Sequence, residues 1–111
     1  MVDATGSALE KYMNLLSVRQ KLIASNIANA DTPGYKTQDI DFQSEFQSAM
    51  NSGGSAVEVP GLKINNDGNN VSLDREARLL SENALRFNIA SQLMKGQLSQ
   101  LKNAIEEGKN G

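Results

Sequence analysis

Apolar positions along the chain fall into two periodic runs on either side of a polar middle. In the first run, Leu9, Met13, Leu16, Gln20, Ile23, Ile27 and Ala30 recur in alternating steps of four and three. That spacing keeps side chains on one face of a helix. Gln20 is its polar member. Leu15, Val18 and Leu22 widen the apolar face beyond a two-stranded seam, so the run fits both a coiled-coil seam and an ordinary core-facing helix. In the second run, Leu73, Ala77, Leu80, Ala84, Phe87, Ser91, Met94, Leu98, Leu101 and Ile105 repeat the same steps with no proline among them. A repeat this long predicts one continuous helix.

Local signals set the ends of these helices. Ser7 and Glu10 have the spacing of a capping box, with Thr5 or Asp3 as earlier caps. Ser72 or Asp74 caps the second helix, and Asp74 and Glu76 suit its positive end. Gly108 marks its exit, Lys102 and Lys109 suit its negative end, and Gly96 is a weak point inside it. As helices, Leu73–Glu107 spans roughly 50 Å and Ser7–Asn29 roughly 35 Å. The two can pair antiparallel over part of that length. The rest of the longer helix then has no partner within the chain, and its apolar seam calls for another subunit.

The first run stops at Ala24–Lys36, read as A-S-N-I-A-N-A-D-T-P-G-Y-K. Asn29 suits a helix C-terminus because asparagine tolerates the left-handed conformation that ends many helices. Pro33 pushes Thr32 out of the helical region. Thr32-Pro33-Gly34-Tyr35 fits a type II turn, with glycine where φ is positive. Tyr35 can fold back onto the helix end.

Beyond the turn, Lys36–Asp41 is polar. Phe42, Phe46 and Met50 then stand four apart and predict a short amphipathic helix. Asn51–Asn70 has a linker composition, N-S-G-G-S at one end and N-N-D-G-N-N at the other. Between these lies Val57–Ile64, where a turn at Pro60-Gly61 would pair Val59 with Leu62, Glu58 with Lys63 and Val57 with Ile64. A proline-glycine type II turn matches strand twist poorly, and a lone hairpin is marginal in water. The segment is therefore expected as a mobile loop that can order as a hairpin in an assembly.

These patterns predict a mainly α protein. Two long N- and C-terminal amphipathic helices form an antiparallel, coiled-coil-like hairpin, and a flexible middle segment has room for a short β-hairpin. Three parts make one elongated domain: 1–35 with the first helix and the turn, 36–70 with the polar middle, and 71–111 with the long helix.

Composition narrows the function. The 111 residues carry 39% apolar and only 5% aromatic side chains, which disfavours a dense single core and favours helices that bury their stripes against partners. Net charge is −2 and no basic patch emerges, which argues against nucleic acid. There is no cysteine and no histidine. Thiolate chemistry is excluded, and the commonest general base and metal ligand is missing. Pairs such as Asp39 and Asp41, or Glu106 and Glu107, read as solvated surface. With no phosphate-binding glycine loop either, neither an enzyme nor a cofactor nor a small-molecule substrate is expected. Met1–Gly6 has neither the basic nor the apolar region of a cleaved secretory signal, and no window is apolar enough to span a bilayer.

The residues Asn26, Asn29, Thr32, Pro33, Gly34 and Tyr35, in the order N-x-x-N-x-x-T-P-G-Y at the end of an N-terminal amphipathic helix, resemble the signature of the bacterial flagellar axial proteins, the rod and hook subunits. Val71-Ser72-Leu73-Asp74-Arg75-Glu76, then Leu80-Ser81-Glu82-Asn83 and Phe87, resemble the C-terminal region of the rod proteins of this family. The likeness covers residues 7–42 and 70–106. It implies a structural subunit of the proximal rod of the flagellar basal body that self-assembles through its terminal helices and transmits torque from motor to hook. Implied partners are further copies of itself, other rod subunits (FlgC and FlgF-like proteins), the adapter FliE, the MS ring and the flagellar type III export apparatus. Implied localisation is the rod on the periplasmic side of the inner membrane, reached without a cleaved signal peptide. Phe42, followed four residues later by an apolar residue, is similar to a motif read at the export gate.

On this reading Leu16, Ile23, Ile27, Leu80, Phe87, Met94, Leu98 and Leu101 form the assembly seam, and the turn motif directs the chain out of the helical layer. The competing reading is a helical adaptor or chaperone-like module that pairs with a partner helix.

Overall fold

The computed structural model describes residues 4–48 and 55–110. In chain order it contains α1 (Ala4–Ala28), β1 (Gln38–Ile40), α2 (Phe42–Gln47), β2 (Ala56–Glu58) and α3 (Leu73–Asn110). The molecule is an elongated rod, 70 × 26 × 17 Å. At 1.5 Å per residue α3 alone is about 57 Å long and sets that length.

α1 and α3 pack antiparallel. Asn26 meets Glu76, Gln20 meets Asn83 and Tyr12 meets Arg86, so numbers fall along one helix as they rise along the other. The expected helical hairpin is present. Its core is thin: Leu15, Leu16, Ile23, Ile40 and Ala90 are the buried apolar side chains. From Leu98 to Lys109 every side chain of α3 is exposed. That is about 18 Å of helix extending past the end of α1, without a partner helix among the described residues.

The face that α3 turns to α1 differs from the apolar stripe. Glu76, Asn83 and Ala90, each seven residues apart, are buried against α1. Leu73, Leu80 and Phe87 lie three residues earlier, about 60° around the helix, and stay partly exposed, at 57%, 38% and 38%. The polar groups dictate this rotation. Asn26 of α1 and Asn83 of α3 are buried and need hydrogen-bond partners; Glu76 supplies one on α3, and the Leu16 carbonyl and Gln20 supply others on α1. The apolar stripe is left to flank the contact.

Several local expectations are corrected. α1 begins at Ala4, so Ser7 lies inside its first turns and is not the cap. α3 runs through Gly108 to Asn110, so that glycine does not end it. Asn29 follows the last residue of α1, but glycines alone have positive φ among the described residues. Its side chain does the capping: Nδ2 donates to the Ser25 carbonyl at 2.9 Å. The Val57–Ile64 hairpin does not form. β2 pairs instead with β1, Gln38 opposite Glu58 and Ile40 opposite Ala56, so the sheet joins the segment after the turn motif to the middle. Pro60-Gly61 still turns, with Gly61 at φ 77°. It redirects the chain toward α3 rather than closing a hairpin.

Other signals hold. Ser72 caps α3, its Oγ accepting from the Arg75 amide at 3.2 Å. α2 is capped by Asp41, and Phe42 and Phe46 stack edge-on against Tyr12 at 5.3 and 6.0 Å between ring centroids. Met50, the third residue of that expected face, lies outside the described residues, as does the N-S-G-G part of the expected linker.

Candidate assembly interface and the turn that positions it

The turn motif folds onto a single buried amide. Asn26 is almost fully buried and uses all four of its hydrogen-bonding sites. Nδ2 donates to the Gln38 carbonyl at 2.8 Å and to Glu76 Oε1 at 2.6 Å. Oδ1 accepts from Tyr35 Oη at 2.9 Å and from the Gln38 amide at 3.0 Å. One side chain of α1 thereby ties the turn, the start of the sheet and the start of α3. Tyr35 does fold back onto the helix end, with its hydroxyl as the anchor.

Thr32–Tyr35 forms the expected turn. The Tyr35 amide donates to the Thr32 carbonyl at 3.2 Å, and Gly34 has φ 75°. Thr32 Oγ1 donates to Asn29 Oδ1 at 3.0 Å. Pro33 and Gly34 are exposed at the tip.

The residues that hold this turn against the rest of the chain come from the presumed linker. Asn69 is fully buried, and its Nδ2 donates to the carbonyls of Asn29 at 2.9 Å and Thr32 at 2.8 Å. Its Oδ1 accepts from the Val71 amide at 2.8 Å. Asn70 Oδ1 accepts from the Thr37 amide at 2.6 Å. The Gly34 amide donates to the Asp67 carbonyl at 2.9 Å, and Lys36 Nζ donates to the Gly68 carbonyl. Gly68 sits at φ 84°, where a Cβ would come within 3.3 Å of Gly34 Cα. Two loops meet here backbone to backbone. The available signal was Asp67-Gly68, a turn dipeptide rather than a linker one. Asparagine composition alone does not distinguish a flexible tether from a clamp of amides.

A charged network backs the same junction. Asp39 lies between Arg19, at 3.0 Å, and Arg75, at 2.9 Å. Arg75 also reaches Glu76 at 2.7 Å. Two cations and two carboxylates thus join α1, β1 and α3 with no net charge. Asp39 is buried and doubly paired rather than the solvated surface group expected, and none of the four was expected as a site residue, because the contacts of Asp39 with Arg19 and Arg75 are remote in sequence.

The proposed seam residues divide into two groups. Leu16 and Ile23 are buried between the helices. Met94 is half-buried, whereas Ile27, Leu80, Phe87, Leu98 and Leu101 are exposed. An open groove of about 600 Å³ runs beside the helix pair, with Leu16 and Ser17 on one wall and Ala84, Phe87 and Ser91 on the other. Asn83 lies in its floor, held by Nδ2 to the Leu16 carbonyl at 3.0 Å, while its Oδ1 is buried and without a partner among the described residues. On the opposite side Leu85, Ile89 and Leu93 line a second groove, of about 550 Å³, with Leu9 and Tyr12. There Arg86 bonds Tyr12 Oη at 3.2 Å and pairs with Glu82. These two contacts, Tyr12 first, hold its guanidinium pKa above the ordinary value.

Among the described residues there is no cluster of acidic side chains that could hold a metal ion, and no helix is long and apolar enough to cross a membrane. The distinctive chemistry is a buried amide and charge junction beside wide exposed apolar helix faces. That arrangement fits contact with other proteins.

Residues 13–36 match the family described as flagella basal body rod protein. Over nearly the whole chain the sequence is similar to curated rod proteins. It is 31% identical to the flagellar basal body rod protein FlgB of Escherichia coli K12, covering 97% of this chain and 99% of that one. Against FlgB of Salmonella typhimurium the identity is 31% with the same coverage. Against FlgB of Bacillus subtilis it is 29%, covering 98% of each chain.

Proposed function

The chain belongs to the FlgB family of flagellar basal body rod proteins, and on that premise we propose that it builds the proximal part of the rod by packing its terminal helices against those of neighbouring subunits. The family is structural rather than enzymatic, and the chain is a structural component of the rod within the basal body. The finer reading is that copies of this chain join one another and related rod subunits of the FlgC and FlgF type. At its base the rod meets the adapter FliE and the MS ring. The type III export apparatus delivers the chain, and the finished rod carries torque to the hook.

One observation carries the self-assembly reading. α3 extends far beyond α1 with Leu98, Leu101 and Ile105 at 50%, 41% and 54% exposure. A lone helix with an apolar stripe is poorly stable in water, and most helical stability comes from packing an amphipathic face. The stripe is supplied by α3, and no cover for it is found among the described residues. Heterologous contacts of this kind propagate into open helical assemblies, which is the geometry a rod requires.

Within this reading, Asn26, Asn29, Thr32, Pro33, Gly34 and Tyr35 fix the angle at which the chain leaves the helix pair. The exposed seam residues make the intersubunit contacts. Counting copies in purified basal bodies tests the proposal against the adaptor reading. Several copies per rod are expected. A chain that is absent from the finished structure but required for its assembly would make it an adaptor or chaperone.

A further inference from the structure

We infer that the overhanging end of α3 in one copy docks into the groove beside Leu16, Ala84 and Phe87 of a second copy, in a head-to-tail contact. This deepens the self-assembly reading by naming which surface meets which. Three observations favour this occupant and this groove.

The first is length. Leu98, Leu101 and Ile105 span one heptad, and Ala84 to Ser91, the α3 wall of the groove, span one heptad as well. Both are about 10 Å along a helix axis. The second is shape. The groove is edged by small side chains, Ser17, Ala84 and Ser91, between the larger Leu16 and Phe87. Large knobs on an incoming helix fit such a hollow. The opposite side of the pair holds a second groove, about 550 Å³, walled mainly by the large side chains Leu9, Tyr12, Leu85, Ile89 and Leu93 rather than by small ones.

The third is charge. Lys21 stands exposed on the rim, with no ion pair among the described residues. The overhang carries Glu106 beside Ile105, exposed and equally unpaired. Seating Ile105 at the Lys21 end brings the two together, and the docked helix then runs antiparallel to the α3 it contacts. On the other side of the pair the charges, Glu82 and Arg86, already neutralise each other. The two surfaces lie on different parts of the molecule, so each copy that donates its overhang also offers a groove.

The chain has no cysteine, so introduced thiols are unique. Asn88→Cys lies on the groove wall and Lys102→Cys beside Leu101, both exposed, so neither disturbs the fold. Under mild oxidation a mixture of the two full-length variants is expected to give a cross-linked dimer, and each variant alone to give essentially none. Lys21→Glu should weaken association by about fivefold, with Glu106→Lys restoring it.

Three results overturn the contact. They are self-cross-linking of Lys102→Cys alone, preferential cross-linking of Lys102→Cys to Leu85→Cys on the opposite side, and no cross-link in any mixture. If the chain is nevertheless counted in purified basal bodies, the rod assignment stands and only this contact fails. Absence from basal bodies is the separate result that removes the assignment.

Discussion

Asn26 donates a 2.6 Å hydrogen bond to Glu76 across fifty residues of sequence, and both side chains are buried. This contact fixes the register of α1 against α3. A carboxylate with no exposure is tolerated there because Arg75 covers its other oxygen at 2.7 Å.

Asn26→Ala strands the Gln38 amide and carbonyl and Glu76 Oε1 together, and leaves Tyr35 Oη only its 3.4 Å contact with Ser25 Oγ. Leaving buried groups unpaired costs about 1–3 kcal/mol each, more for a charge, with partial relief from water. A loss of about 3 kcal/mol in chemical denaturation is expected. Asn29→Ala removes contacts near the surface and should cost about 1 kcal/mol. Equal effects at the two positions would show that Asn26 is not the hub.

The asymmetry between these two asparagines shows what the sequence could and could not reveal. Asn29 was legible because helix termination and type II turns depend on neighbouring residues, whereas Asn26 entered the turn motif only through the family resemblance. The helical hairpin, its unpaired end and the Ser72 cap were legible for the same reason: periodicity and capping are local. The wrong pairing of β2 and the linker reading of Asn69 and Asn70 have the opposite cause. Each depends on a partner more than fifteen residues away, and nothing in a strand of three residues names its neighbour. The rotation of α3 was hidden too. An apolar stripe predicts burial, but the hydrogen bonds of the buried amides Asn26 and Asn83 decided which face turned inward.

Glycine to alanine should have opposite signs at two positions. Gly68 has φ 84° and faces Gly34 Cα, so a methyl group there is both strained and crowded. A destabilisation of about 2 kcal/mol is expected. Gly96 lies inside α3 with open space around it. Gly96→Ala should therefore stabilise by about 0.5–1 kcal/mol, read as a higher midpoint in thermal unfolding.

Asp39 bridges two arginines that are each about one-fifth exposed. Asp39→Ala leaves Arg19 and Arg75 facing one another without their shared carboxylate. Partial exposure moderates the penalty, and about 2 kcal/mol is expected rather than the larger cost of a fully buried pair. Added salt should narrow the gap between the variant and the native chain by screening the exposed repulsion. A gap that stays constant from low to high salt would assign the loss to packing alone.

Leu98→Asp with Leu101→Asp separates folding from assembly. Both side chains are exposed in the single chain and lie past the end of α1. Neither contributes to the Asn26 junction or to the buried core, so the monomer should unfold within about 0.5 kcal/mol of the native chain. Association should nevertheless be lost, because each aspartate would place a charge in an apolar contact that cannot pair it. Sedimentation across a concentration series reads the association, and circular dichroism reads the helix. The native chain should gain helicity as it associates, and the double variant should show neither change. In cells that variant should still be exported but fail to build rods. Normal rods from it would mean that the overhang does not join subunits, whatever its exposed stripe suggests.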